Sequence, residues 1–183
     1  MYFLEEGYSP SIEKRSMHQA GWSLSYHNKT LFGQIVRASK YEGAGPFPQS
    51  LVSRAVDVVH TRYPMEAIDG IVSVPPTRSG MLVEIFARQV AELLGLKYLP
   101  VLTKVLQTQE KKSLSNWLQK ADNVKNAFVV QFPEQVAGRS LLLIDDIYDS
   151  DYMLREVGIT LMRAGAIAVY PLTTTRTAHS DDQ

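Results

Sequence analysis

Short apolar runs alternate along this chain with longer stretches in which apolar positions recur every three or four residues. The runs are GIVSV (70–74), YLPVL (98–102), AFVVQF (127–132), SLLLI (140–144) and AIAVY (166–170). Each has the length of a buried strand. Upstream, WSLSYHN (22–28) alternates Trp22, Leu24 and Tyr26 on one face, which predicts a strand closed by a turn at HNKT (27–30). Thr30 is placed to cap a helix running to about Lys40, and Ser50 to open a second, with Leu51, Val52, Ala55, Val56 and Val59 on one face. That helix must stop by Tyr63, because Pro64 follows. The clearest helical period is MLVEIFARQVAELLG (81–95), where Leu82, Ile85, Phe86, Val90, Leu93 and Leu94 form the apolar stripe and Gly95 the cap. A last helix is expected around Leu154, Val157, Leu161 and Ala164, ended by Gly165.

Strands that are continuously apolar and separated by helices predict an open, mostly parallel, Rossmann-like α/β sheet with helices on both faces. Residues 21–177 read as one domain, 1–20 as a segment of no assigned role and 178–183 as a polar tail. Ligands of such sheets sit beyond the carboxyl ends of the strands. Two loops belong at that edge, PPTRSG (75–80) and DDIYDSD (145–151), and they are the expected site.

Charge and composition narrow the classes. Lys+Arg and Asp+Glu are 19 each, so no overall field draws the chain to nucleic acid or a membrane surface, and no strong direct nucleic-acid binding is expected. Absence of cysteine removes disulfides, thiolate metal sites and cysteine nucleophiles. No apolar run reaches a membrane span and MYFLEEGYSP lacks the regions of a signal peptide, so the expected location is the cytoplasm. His18, His27, His60 and His179 are dispersed, without ligand spacing, and no GxxxxGK[ST] occurs.

Asp145 and Asp146 follow the apolar run Leu141–Ile144 and are expected to emerge at the sheet edge rather than within the core. Two adjacent carboxylates there can accept hydrogen bonds from vicinal sugar hydroxyls, directly or through metal-bound water. The alternative is that they solvate or cap a turn. Asp149, Ser150 and Asp151 stand where a helix begins and are themselves good N-cap residues. A phosphate beside either acid meets roughly 4 kcal/mol of repulsion at 4 Å and an effective dielectric of 20. DDIYD has the DDxxD spacing of prenyl-transferring enzymes, but those motifs lie on helices and this one follows a strand. A calcium loop beginning at Asp149 lacks the required glycine and glutamate. In the other loop, Arg78 supplies a planar cation for an anion, with the Thr77 and Ser79 hydroxyls beside it. Residues 104–125 gather Lys104, Lys111, Lys112, Lys120 and Lys125, which suit either a flap over a polyphosphate or a solvated face.

VRASKYEG, VPPTRSGMLVEIFARQVAELLGL, LTKVLQTQEKKSLSNWLQKADNVKNAF and GRSLLLIDDIYDS occur in this order, and together with the final helix and strand they span most of residues 35–175. In these stretches the chain resembles the type I phosphoribosyltransferase family, in particular its ComF-like branch and the phosphoribosyltransferase-like domains attached to RecQ-type DNA helicases. The resemblance implies a flexible flap on the sheet and a Mg²⁺-dependent transfer of phosphoribosyl from phosphoribosyl pyrophosphate. It gives Asp145 and Asp146 the ribose hydroxyls, and magnesium indirectly through substrate or water. It gives Asp149, Ser150, Asp151, Tyr152 and Met153 the 5′-phosphate, Thr77, Arg78 and Ser79 the pyrophosphate, and Lys104, Lys111 and Lys112 the flap. Asp151, Tyr152 and Met153 differ from the family's Thr- and Gly-rich phosphate loop. Hence two functions stand side by side: an enzyme with an unidentified acceptor, or a non-catalytic nucleotide or ribose-phosphate module in DNA recombination or repair. Expected partners are a small sugar phosphate or nucleotide, a helicase partner or fusion, and a second copy in a homodimer.

Overall fold

The computed structural model describes residues 11–12, 18–43, 45–76, 80–106, 124–149 and 152–178. Its strands are β1 (Ser11–Ile12), β2 (Gly21–Ser23), β3 (Gly70–Ser73), β4 (Leu102–Lys104), β5 (Phe128–Val130), β6 (Ser140–Tyr148) and β7 (Ala168–Arg176). Its helices are α1 (Leu31–Tyr41), α2 (Gln49–Arg62), α3 (Leu82–Leu94) and α4 (Tyr152–Arg163). Five strands form one sheet in the order β1-β2-β7-β6-β3, parallel except for β1, which runs antiparallel to β2. Strands β4 and β5 form a separate antiparallel pair.

The run Leu141–Ile144 is apolar throughout because both faces of β6 are covered. Leu142 and Ile144 join the core under α2 and α3 with Leu51, Val59, Phe86 and Val90. Leu141 and Leu143 join the opposite core with Leu154, Val157 and Leu161 of α4. Burial of each such leucine stabilises by about 1.5–3 kcal/mol relative to exposure. The helices begin and end near where the pattern predicts. Thr30 Oγ1 accepts the Gly33 N–H at the start of α1, and α2 closes at Tyr63. Helix α3 is rotated by about one residue from its expected stripe: Val83, Phe86, Ala87, Val90 and Ala91 are buried, while Ile85 and Leu93 are exposed. Ala87 and Ala91 let the helix lie close to its neighbours, so small residues rather than the largest ones set the buried face.

Two strands are longer than their apolar runs. The β6–β7 register continues unbroken in direction from Ser140↔Ala168 to Tyr148↔Arg176, well past Ile144 and Tyr170. The polar half stays in the sheet because its side chains are paired. Thr174 Oγ1 donates to the Asp146 carbonyl at 2.5 Å, and the Ser23 and Thr173 hydroxyls meet at 2.6 Å.

A tyrosine is built into the ladder between β2 and β7. Leu24 N–H bonds directly to the Thr173 carbonyl at 2.9 Å. One step earlier, the Tyr63 hydroxyl lies between the partners: it accepts the Trp22 N–H at 2.8 Å and donates to the Pro171 carbonyl at 2.6 Å. Glycine at position 21 allows this approach, since a Cβ there would fall 2.0 Å from the Pro171 oxygen. Burial raises the Tyr63 pKa far above that of free tyrosine, so the hydroxyl keeps the proton it donates. Tyr63→Phe leaves a buried N–H and a buried carbonyl without this link. The expected loss is about 2 kcal/mol, read as a lower urea midpoint at unchanged slope; an unchanged midpoint would show that the strands close without the hydroxyl.

Candidate functional site at the carboxyl edge of the sheet

Strands β3 and β6 are parallel neighbours, with Ser73 opposite Ile144, so the loops that follow them leave the same edge side by side. Val74 N–H still bonds to the Ile144 carbonyl at 2.9 Å. At the end of β3, Ser73 Oγ and the Tyr98 hydroxyl are 2.7 Å apart, and the Arg88 guanidinium lies 4.4 Å from the centre of the Tyr98 ring. Thr77, Arg78 and Ser79 lie outside the described residues, as do Ser150, Asp151, Lys111 and Lys112.

Asp145 and Asp146 do not solvate or cap a turn, which was the alternative to a place at the sheet edge. They are part of β6 and are 9% and 7% exposed. The reason is pairing of backbone and charge together. Asp145 Oδ1 accepts the Asp146 N–H at 2.8 Å, and the Asp146 carbonyl accepts from Thr174. Asp146 Oδ2 meets Lys40 Nζ, from the last turn of α1, at 2.6 Å. Burial of Lys40 opposes its charge, but the Asp146 carboxylate outweighs burial and raises the lysine pKa above 10.5. Lys40 therefore stays protonated throughout the neutral range.

Residues predicted around this pair are placed as follows. Asp149 directly follows β6 and is half-buried. Tyr152 and Met153 form the first turn of α4, and Met153 packs against the core. Lys104 lies on β4 opposite Phe128, and partial burial lowers its pKa from 10.5. The β4–β5 pair is the stem from which the expected flap departs; residues 107–123 are outside the described set. Glu156 of α4, 8% exposed, accepts the Asn126 N–H at 2.6 Å and so joins the helix after the acidic loop to the end of that stem where residues 107–123 depart.

Two residues at this edge were not singled out by sequence reasoning. Lys40 lies in VRASKYEG, and its one sequence signal was that stretch's resemblance; nothing local distinguishes it from a solvated lysine at a helix end. His27 had no metal-ligand spacing. Its Nδ1 lies 3.2 Å from Thr175 Oγ1, and its backbone N–H donates to the Arg176 carbonyl at 2.8 Å.

No protein-family model matches the chain, and no curated protein matches it. Among solved structures, the allosteric regulatory enzyme of purine biosynthesis superposes on 76% of this chain with a TM-score of 0.50 and 18% identity. Glutamine phosphoribosylpyrophosphate amidotransferase from B. subtilis, complexed with ADP and GMP, superposes on 76% with a TM-score of 0.51 and 18% identity. The chain has the type I phosphoribosyltransferase fold. It covers 30% of each of these two larger proteins. Adenine phosphoribosyltransferase from Saccharomyces cerevisiae superposes on 70% of this chain and 71% of its own, with a TM-score of 0.49 and 15% identity. Among the described residues, no helix is long and apolar enough to cross a membrane.

Lys40→Met removes one partner of a buried ion pair and leaves the Asp146 carboxylate uncompensated. The expected loss is about 3 kcal/mol or more near pH 7, measured by urea unfolding. The contribution of the raised lysine pKa is present in full below pH 10.5, while the carboxylate is ionised, and is lost as pH rises through the higher pKa of folded Lys40. A Lys40→Met midpoint equal to that of the wild type at pH 7 would show that the pair is idle.

Proposed function

We propose that this chain binds phosphoribosyl pyrophosphate with Mg²⁺ and transfers its phosphoribosyl group to a nitrogen nucleophile. The observation that carries the reading is the Asp145–Asp146 pair: two carboxylates at the carboxyl end of a central parallel strand, one of them charge-paired with Lys40 at 2.6 Å. Such a pair has the acceptor oxygens that vicinal 2′ and 3′ ribose hydroxyls require, and it stands where open α/β sheets place ligands. The same pair offers hard oxygen donors, which fits a magnesium ion that keeps water and substrate oxygens in its shell. When bound, magnesium neutralises charge on the leaving pyrophosphate.

The chain's own residues then divide the work. Asp145 and Asp146 orient the ribose, and Lys40 limits the negative potential that an approaching polyphosphate would meet. Arg78, with Thr77 and Ser79, grips the pyrophosphate, and Asp149 to Met153 receive the 5′-phosphate. Lys104 on the β4 stem and Lys111 and Lys112 on the expected flap add positive charge as the bond between the anomeric carbon and pyrophosphate breaks. The group that replaces pyrophosphate comes from the acceptor, so no covalent enzyme nucleophile is needed. The protein works in the cytoplasm in this reading, as a homodimer or alone.

The acidic phosphate loop favours a second reading. Asp149, half-buried beside the pair, and Asp151 in sequence oppose a 5′-phosphate by roughly the few kcal/mol that like charges cost near a surface. A chain of this fold that has given up transfer would serve as a ribose-phosphate or nucleotide module, in partnership or fusion with a RecQ-type helicase, as the resemblance read from its sequence implies.

Isothermal titration with phosphoribosyl pyrophosphate and Mg²⁺ separates the two. The wild type is expected to bind in the micromolar range, about −8 kcal/mol, and Asp145→Asn/Asp146→Asn to bind at least tenfold more weakly while remaining folded by circular dichroism. No heat at millimolar ligand with folded wild type would discard the transferase reading in favour of the module.

A further inference from the structure

The turn joining β2 to α1 is held far more tightly than a connection of its length requires. The Ser25 carbonyl accepts the Arg176 N–H at 2.9 Å, and the His27 N–H returns a bond to the Arg176 carbonyl at 2.8 Å. Thr30 Oγ1 donates to the Tyr26 carbonyl at 3.0 Å, accepts the Gly33 N–H at 3.0 Å and also meets the Ser25 hydroxyl. Asn28 is left-handed at φ 60°. Gly33 passes so near that a Cβ would lie 2.1 Å from the Tyr26 oxygen. What this network fixes is the His27 ring, at the same strand edge as the acid pair and 3.2 Å from Thr175 Oγ1.

Charged groups reach the ring from several elements. Arg37 and Lys40 act from α1, Asp146 from β6 and Asp149 from just beyond it, while β7 supplies the Thr175 hydroxyl and the Arg176 carbonyl. In the tautomer whose Nδ1–H donates to Thr175 Oγ1, the lone pair is on Nε2, as a proton acceptor needs. Burial, followed by Lys40, lowers the His27 pKa below 6.5, so the neutral ring predominates at pH 7. Asp146 and Asp149 act in the opposite sense and stabilise the imidazolium once it forms.

We propose that His27 accepts the proton released when an N–H heterocycle of the nucleobase class attacks the anomeric carbon, a role that rests on the transferase reading above. The acceptor nitrogen forms the bond to the anomeric carbon. The bond from that carbon to pyrophosphate breaks, and its electron pair leaves with pyrophosphate. The acceptor's N–H proton passes to Nε2 of His27, which returns it to water after product departure. A neutral imidazole suits an N–H that becomes acidic only as its nitrogen turns cationic during attack.

The test compares wild type with His27→Gln in two measurements on the same preparations. Titration calorimetry reads phosphoribosyl pyrophosphate binding with Mg²⁺; pyrophosphate release is then followed with adenine, guanine, hypoxanthine or uracil over about pH 5 to 8. At least one base is expected to support release. His27→Gln should bind phosphoribosyl pyrophosphate within about threefold of wild type and release pyrophosphate at least about 100-fold more slowly. Wild-type release should rise with pH through a value below 6.5, because only the neutral ring accepts a proton, and His27→Gln should lack that rise. Binding without release on any of the four bases, or an equal rate and pH profile in His27→Gln, overturns the role of His27 and leaves the binding reading standing. Absence of binding in the wild type removes the transferase reading, and this role with it.

Discussion

Two adjacent carboxylates inside a buried strand are a charge problem, and the carboxyl edge of this sheet is organised around its solution. An unpaired buried carboxylate costs several kcal/mol. Asp146 is met by Lys40 at 2.6 Å, and Asp145 by the backbone N–H that follows it. The lysine can reach only because α1 lies against this edge, and α1 is placed by the turn from Ser25 to Thr30 and its bonds to Arg176. Thr174 completes the arrangement by keeping the Asp146 carbonyl in a hydrogen bond.

The consequence for chemistry is a site whose acids are fixed rather than fluctuating. Side chains that are already oriented and desolvated bind a diol with less loss of freedom than solvated ones. The same packing brings His27 and Thr175 to the acids' side of the sheet. Glu156 extends the connection in the other direction, because it ties α4, which follows the acidic loop, to Asn126 just before β5.

Much of this was legible in the sequence, for physical reasons that differ by element. Leu141–Ile144 reads as a buried strand because both its faces are covered, and Thr30 and Pro64 mark helix limits through capping and backbone geometry. Strand ends were not legible. Periodicity follows side-chain polarity, whereas β6 and β7 continue on paired hydroxyls and an ion pair whose partners lie far away in sequence, as Asp146 and Lys40 do. The stripe of α3 was misplaced for a related reason: the period of large apolar residues does not reveal that Ala87 and Ala91 face inward while Leu93 does not. Of the candidate site, the acid pair could be found from the chain alone. Lys40 and His27 could not, since each gains its meaning from a neighbour supplied by another strand.

The central claim is that the Asp145 and Asp146 carboxylates, fixed by Lys40, receive a ribose. The most direct measurement is a crystal structure of the protein grown with Mg²⁺ and phosphoribosyl pyrophosphate. The account predicts the 2′ and 3′ hydroxyls within hydrogen-bond distance, about 2.5–3.0 Å, of those two side chains, with Lys40 still on Asp146. Ligand bound elsewhere on the protein, with the two acids in contact only with protein and water, would contradict it.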